Sequence, residues 1–72
     1  MSIILTNEEK IAVVEQHLKS IEYSIYGTTL DLVEANSVST PDSAVISSLN
    51  ARLADQNAKK DALLAEKTTL SA

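Results

Sequence analysis

Any chemistry in this chain would have to start from His17, its only histidine. Glu15 and Lys19 flank it at two residues on either side. That is not the His-Glu-x-x-His spacing that sets two imidazoles on one helix face around a zinc ion. A single histidine beside an apolar helical stripe reads as a flanking residue, not as a ligand or a catalytic base. The chain has no cysteine, so it offers no thiolate nucleophile, no thiolate metal site and no disulfide. Serine and threonine hydroxyls are plentiful, but no base stands in a recognisable order beside them. With one glycine in the whole chain there is no glycine-rich phosphate loop. The sequence therefore predicts no catalytic residue, no cofactor, no metal and no enzyme.

What remains is the framework that would carry such residues, and it divides at one stretch. Ala35 to Ser43 reads Ala-Asn-Ser-Val-Ser-Thr-Pro-Asp-Ser, the only place where small polar residues cluster around a proline. Asn36, Ser37, Ser39 and Thr40 compete with the backbone for hydrogen bonds, which favours turns and caps over helix interiors. Proline is welcome at the first position of a helix. The expected start of a second helix is thus Thr40 as N-cap, Pro41 at the first position and Asp42 in the first turn.

Before this turn, Thr6-Asn7-Glu8-Glu9 matches a capping box, with Thr6 as cap and Glu9 reaching back. Apolar residues then alternate at three and four. Ile11, Leu18, Ile25 and Leu32 hold one core position, and Val14, Ile21, Thr28 and Ala35 hold the other. Ile4 is in phase, so the lead-in either continues the stripe or folds over its end. Gly27 interrupts the composition, but the seam keeps its phase to Ala35, which predicts a continuous helix. After the turn, Ile46, Leu49, Leu53, Gln56, Lys60, Leu63, Lys67 and Leu70 keep the same alternation, with Leu64 as an alternative core residue. Antiparallel pairing sets Thr28 against Leu49, Ile25 against Leu53, Leu18 against Lys60, Val14 near Leu63 and Ile4 or Leu5 near Leu70. The Lys60 stem can pack while its ammonium reaches water. Glu15 with Lys19 and Asp55 with Lys59 are favourably oriented i,i+4 pairs.

The predicted fold is all-α, a two-helix antiparallel hairpin of coiled-coil type, associating into a helical bundle. It forms one domain over residues 1–72: lead-in 1–6, helix 7–35, turn 36–40, helix 41–70. A domain of this size buries only ~60% of the surface its unfolded chain exposes. Below ~80 residues oligomerisation commonly makes up the shortfall. An exchange of helices between two chains would satisfy the same seams.

Two faces remain outside the seam. Tyr23, Tyr26, Leu30 and Val33 recur at three-four-three spacing nearly opposite it. A two-helix hairpin buries one stripe per helix, so this stripe is the candidate interaction face, for a second copy or for a helix of another protein. Ala51, Ala54, Ala58, Ala62 and Ala65 line the far face of the second helix. They read either as a solvated face of good helix formers or as a close-packing surface.

The formal net charge is −4. An acidic chain lacks the clustered Lys and Arg that phosphate contacts need, so no nucleic-acid partner is expected. The acids concentrate before the turn, at Glu8, Glu9, Glu15, Glu22, Asp31 and Glu34, against Lys10 and Lys19. The later segment carries Arg52, Lys59, Lys60 and Lys67 and is near neutral. No basic leader precedes a long apolar run, and no run approaches the ~20 apolar residues of a membrane span. The expectation is a cytoplasmic, soluble protein with no membrane contact. In its small size, aliphatic helices and Ser/Thr/Asn-rich turn the chain resembles small accessory proteins of tailed bacteriophages, a resemblance that transfers no residue roles. The residues thus point to an assembly module, self-associating as a homo-oligomer with a dimeric four-helix bundle as the simplest closed form. A small acidic regulator or decoy of a host protein is the alternative.

Overall fold

Thr6 starts the first helix as its sequence pattern demands. Its hydroxyl accepts from the Glu9 backbone N–H at 3.1 Å, and its own backbone N–H donates to Glu9 Oε1 at 2.9 Å. This closes the capping box at the head of α1, Asn7–Asn36. The Thr6 backbone N–H first, and the Thr6 side chain second, hold the exposed Glu9 carboxyl below its ordinary value. A carboxyl depressed in the folded state stabilises fully above its unfolded pKa and loses that contribution as pH falls through the folded value. Glu9→Gln is therefore expected to lower the urea midpoint at neutral pH, and the gap to wild type should shrink in acid. A gap independent of pH would show that the charge plays no part in the cap.

The computed structural model describes residues 4–72, and the beginning of the expected lead-in, residues 1–3, lies outside them. α1 runs unbroken through Gly27. The two threonines that follow are accommodated by turning their hydroxyls back onto the preceding turn, Thr28 onto the Ser24 carbonyl at 3.1 Å and Thr29 onto Ile25 at 2.9 Å. α1 ends one residue later than expected. The Ser37 hydroxyl donates to the Glu34 carbonyl at 2.7 Å, one of those the helix end leaves open, and Asn36 Nδ2 donates to the Leu32 carbonyl at 2.8 Å.

The second helix, α2, spans Ser43–Ser71. Its cap is Asp42, not Thr40: Asp42 Oδ1 accepts from the Ala44 and Val45 backbone N–H groups at 2.9 and 3.4 Å. Pro41 consequently precedes the cap and does not open the helix. The reason is chemical: the Asp42 carboxylate accepts from two open N–H groups and adds a favourable charge at the positive end of the dipole.

The helices pair antiparallel within one chain and form a rod of 60 × 19 × 16 Å with a radius of gyration of 16.9 Å. A compact chain of this length would have a radius of roughly 11 Å. At the open end, Asn7 Nδ2 donates to the Leu70 carbonyl at 3.4 Å. Counting inward from that contact places Thr28 across from Leu49, the two residues most deeply buried, at 3% and 8% exposure. Every other expected seam position on both helices is half-buried, and the remaining described residues are exposed. Leu64 lies outside the seam, with Leu63 inside it. Ile4 and Leu5 are exposed, so the described part of the lead-in does not cover the end of the seam near Leu70.

Candidate functional site

The seam carries polar groups as well as aliphatic ones. Gln56 lies half-buried and donates from Nε2 to the Ser24 carbonyl at 3.3 Å, the same oxygen that accepts from Thr28 Oγ1. Gln56 Oε1 is buried with no partner. A neighbouring polar position, Lys60, keeps its stem in the seam, and its ammonium meets the Glu22 carboxylate at 3.3 Å instead of ending in water alone. Such an exposed ion pair contributes ~1 kcal/mol or less. Among the described residues this is the ion pair closer than 4 Å; Glu15 with Lys19 and Asp55 with Lys59 do not close. Holding two long side chains in one geometry costs entropy that a solvated pair barely recovers.

Gln56 sets a cost against a gain. Its unpaired oxygen carries a desolvation cost of ~1–3 kcal/mol, and its amide nitrogen donates to the Ser24 carbonyl across the hairpin. Gln56→Leu is expected to raise stability by ~1 kcal/mol, seen as a higher urea midpoint. A lower midpoint would mean that the bond to Ser24 outweighs the unpaired oxygen.

His17 lines a shallow groove between the helices with Ser20, Ile21, Ser24, Lys59, Ala62 and Leu63. No carboxylate borders it, and His17 itself is exposed. Among the described residues no group of three His, Cys, Asp or Glu side chains gathers closely enough to hold a metal ion. No helix among them is long and apolar enough to cross a membrane.

The fold leaves the outer face of α1 open. Tyr23, Tyr26, Leu30 and Val33 are 72%, 63%, 43% and 60% exposed. They follow one another along a single helix face, and the aromatic end continues into a shallow groove bordered by Lys19 and Glu22. The five alanines of α2's far face are exposed as well. Val45 and Val38, beside the turn, add further exposed aliphatic surface. Their position was not singled out by periodicity, because they stand off both seams.

No protein-family model, curated protein or solved structure matches this chain. The fold defines its class on its own terms: an all-α hairpin of two long antiparallel helices.

Proposed function

We propose that this protein is a non-enzymatic assembly module that associates with a second copy of itself through the outer face of α1. The observation that carries the reading is the amount of surface left uncovered. A compact monomer of 7.7 kDa exposes roughly 4,300 Å² by the size scaling of folded proteins, whereas this hairpin exposes 5453 Å². The excess of roughly 1,100 Å² follows from the rod shape, 60 × 19 × 16 Å, and the outer face of α1 is one part of it. Tyr23, Tyr26, Leu30 and Val33 are apolar side chains exposed along one face of that surface. Tyrosine suits such a place, with a large apolar body and a hydroxyl that tolerates a wet rim.

The angle between the stripe and the seam supports one form of assembly. At ~100° per residue the stripe lies roughly 160° around α1 from the seam. Pairing through it lays two hairpins side by side, the two α1 helices inside and the two α2 helices outside. That is a four-helix row in place of a square bundle. Light scattering after size exclusion, over a roughly hundredfold range of concentration, tests the reading. Twice the chain mass at the upper end supports it, and the mass of one chain throughout refutes it.

A second reading rests on charge. The acids of α1 outnumber its lysines six to two, and among the described residues Glu22 is the one of them that is ion-paired. A small acidic regulator or decoy, of the kind the phage-accessory resemblance suggests, would occupy a basic surface of a host protein. Its binding should hold at low salt and disappear at high salt, whereas apolar self-association should persist.

A further inference from the structure

The two halves of the seam are closed by different partners. Toward the turn, Thr28 and Leu49 are the deepest described residues, at 3% and 8% exposure. On either side of them the antiparallel count sets aliphatic against aliphatic, Ile25 with Leu53 and Leu32 with Ile46, all half-buried. Leu32 and Ile46 also meet across a short connection, which keeps the entropy cost of holding them together low. Past Gln56 the facing residues change character. The contacts of Ser24 with Gln56, Glu22 with Lys60 and Asn7 with Leu70 fix the register. In that register Ile21 lies opposite Gln56, Leu18 opposite Lys60 and Ile11 opposite Lys67. Val14 with Leu63 is the aliphatic pair that remains there.

Each of these polar partners holds the helices together weakly. A lysine offers its stem to the seam and keeps its ammonium in reach of water whether the helices are together or apart. The Glu22–Lys60 pair is exposed and adds little. The buried oxygen of Gln56, without a partner in the closed hairpin, gains water when the helices separate. Ile4 and Leu5 are exposed and do not cover this end.

We infer that the hairpin opens as a clamp: the arms beyond Ser24 and Gln56 part as one unit while the half beside the turn stays closed. Such an opening keeps the best-packed pairs and so costs less than unfolding the whole chain. Parting bares Ile11, Val14, Leu18 and Ile21, an aliphatic stripe of α1 that the closed arms half cover. The inference is independent of self-association, whose face lies on the other side of α1.

Native-state hydrogen exchange of the full chain tests it, read amide by amide. Amides of residues 25–34 and 47–54 report on the half beside the turn, and those of 11–20 and 59–69 on the arms. The arm amides should share one protection factor, at least about tenfold below that of the turn half. Ile25→Val should lower protection in the turn half by about fivefold and leave the arms unchanged, because the arms open with Ile25 still packed. Leu63→Ala should lower both halves by the same factor, because its packing is lost in either opening. Equal protection of the two halves in wild type overturns the inference, and so does an Ile25→Val loss that the arms share. A protection that falls smoothly, residue by residue, away from the turn is simple fraying and overturns it as well.

Discussion

Leu49→Ala should remove about 2–3 kcal/mol of folding free energy, the largest loss expected from any single truncation in this chain. Leu49 is the one buried apolar side chain among the described residues, and it lies across from Thr28 where the seam is tightest. Deleting its branched end forfeits the transfer free energy of the lost methyl groups and leaves a gap that the neighbours fill only in part. The low end of the usual range for leucine applies, because a two-layer rod can collapse around a gap more easily than a thick core. A domain of this length holds only ~4–11 kcal/mol in total, so the loss is a large share of it. The measurement is urea denaturation followed by helical circular dichroism, with a lower midpoint and an unchanged slope. A loss under ~0.5 kcal/mol, the range of ordinary surface changes, would show that Leu49 does not anchor the seam.

The second large effect concerns association and leaves folding almost untouched. Tyr26→Glu combined with Leu30→Glu is expected to weaken self-association by more than about a thousandfold, or ~4 kcal/mol. Both side chains are exposed in the single hairpin, and glutamate is a good helix former, so the monomer should keep its helicity and its stability within ~0.5 kcal/mol. In the paired state the substitutions remove two central apolar anchors and ask for the desolvation of carboxylates with no cation opposite. They also add two negative charges to a chain already at −4. Solution mass at matched concentrations reads the effect. A double variant that assembles as well as wild type would place the interface elsewhere.

The helical framework was legible in the sequence because one physical rule decides it. Alternating spacings of three and four keep a residue on one side of a helix, and every described residue that is half-buried or buried stands at a position in that series, from Ile11 to Ala35 and from Ile46 to Leu70. Even Thr28, Gln56, Lys60 and Lys67 follow the phase in spite of their polarity. Less visible were events that depend on what lies across the hairpin. The Lys60 ammonium was expected in water, yet Glu22 on α1 meets it. Gln56 gave a usable signal, since a polar group held in a seam needs a partner on the facing helix, but the partner is a backbone carbonyl that no residue type announces. Local competition explains the shifted start of α2. Thr40 and Asp42 are both good caps, and proline before the cap is as admissible as proline after it; the carboxylate prevailed by accepting from two backbone N–H groups. The outer face of α1 was legible for the same reason as the seam, as a second period on one helix.

Tyr23 and Tyr26 are the only aromatic residues in the chain, and both lie on that outer face. Acrylamide quenching of tyrosine emission therefore reports directly on whether the face is open, with no label added. We would measure it at two concentrations roughly hundredfold apart, alongside solution mass. Association through the outer face of α1 predicts that quenching falls as the mass doubles. Equal quenching at both concentrations, with the mass doubled, would put the interface on another surface of the hairpin and contradict the central claim.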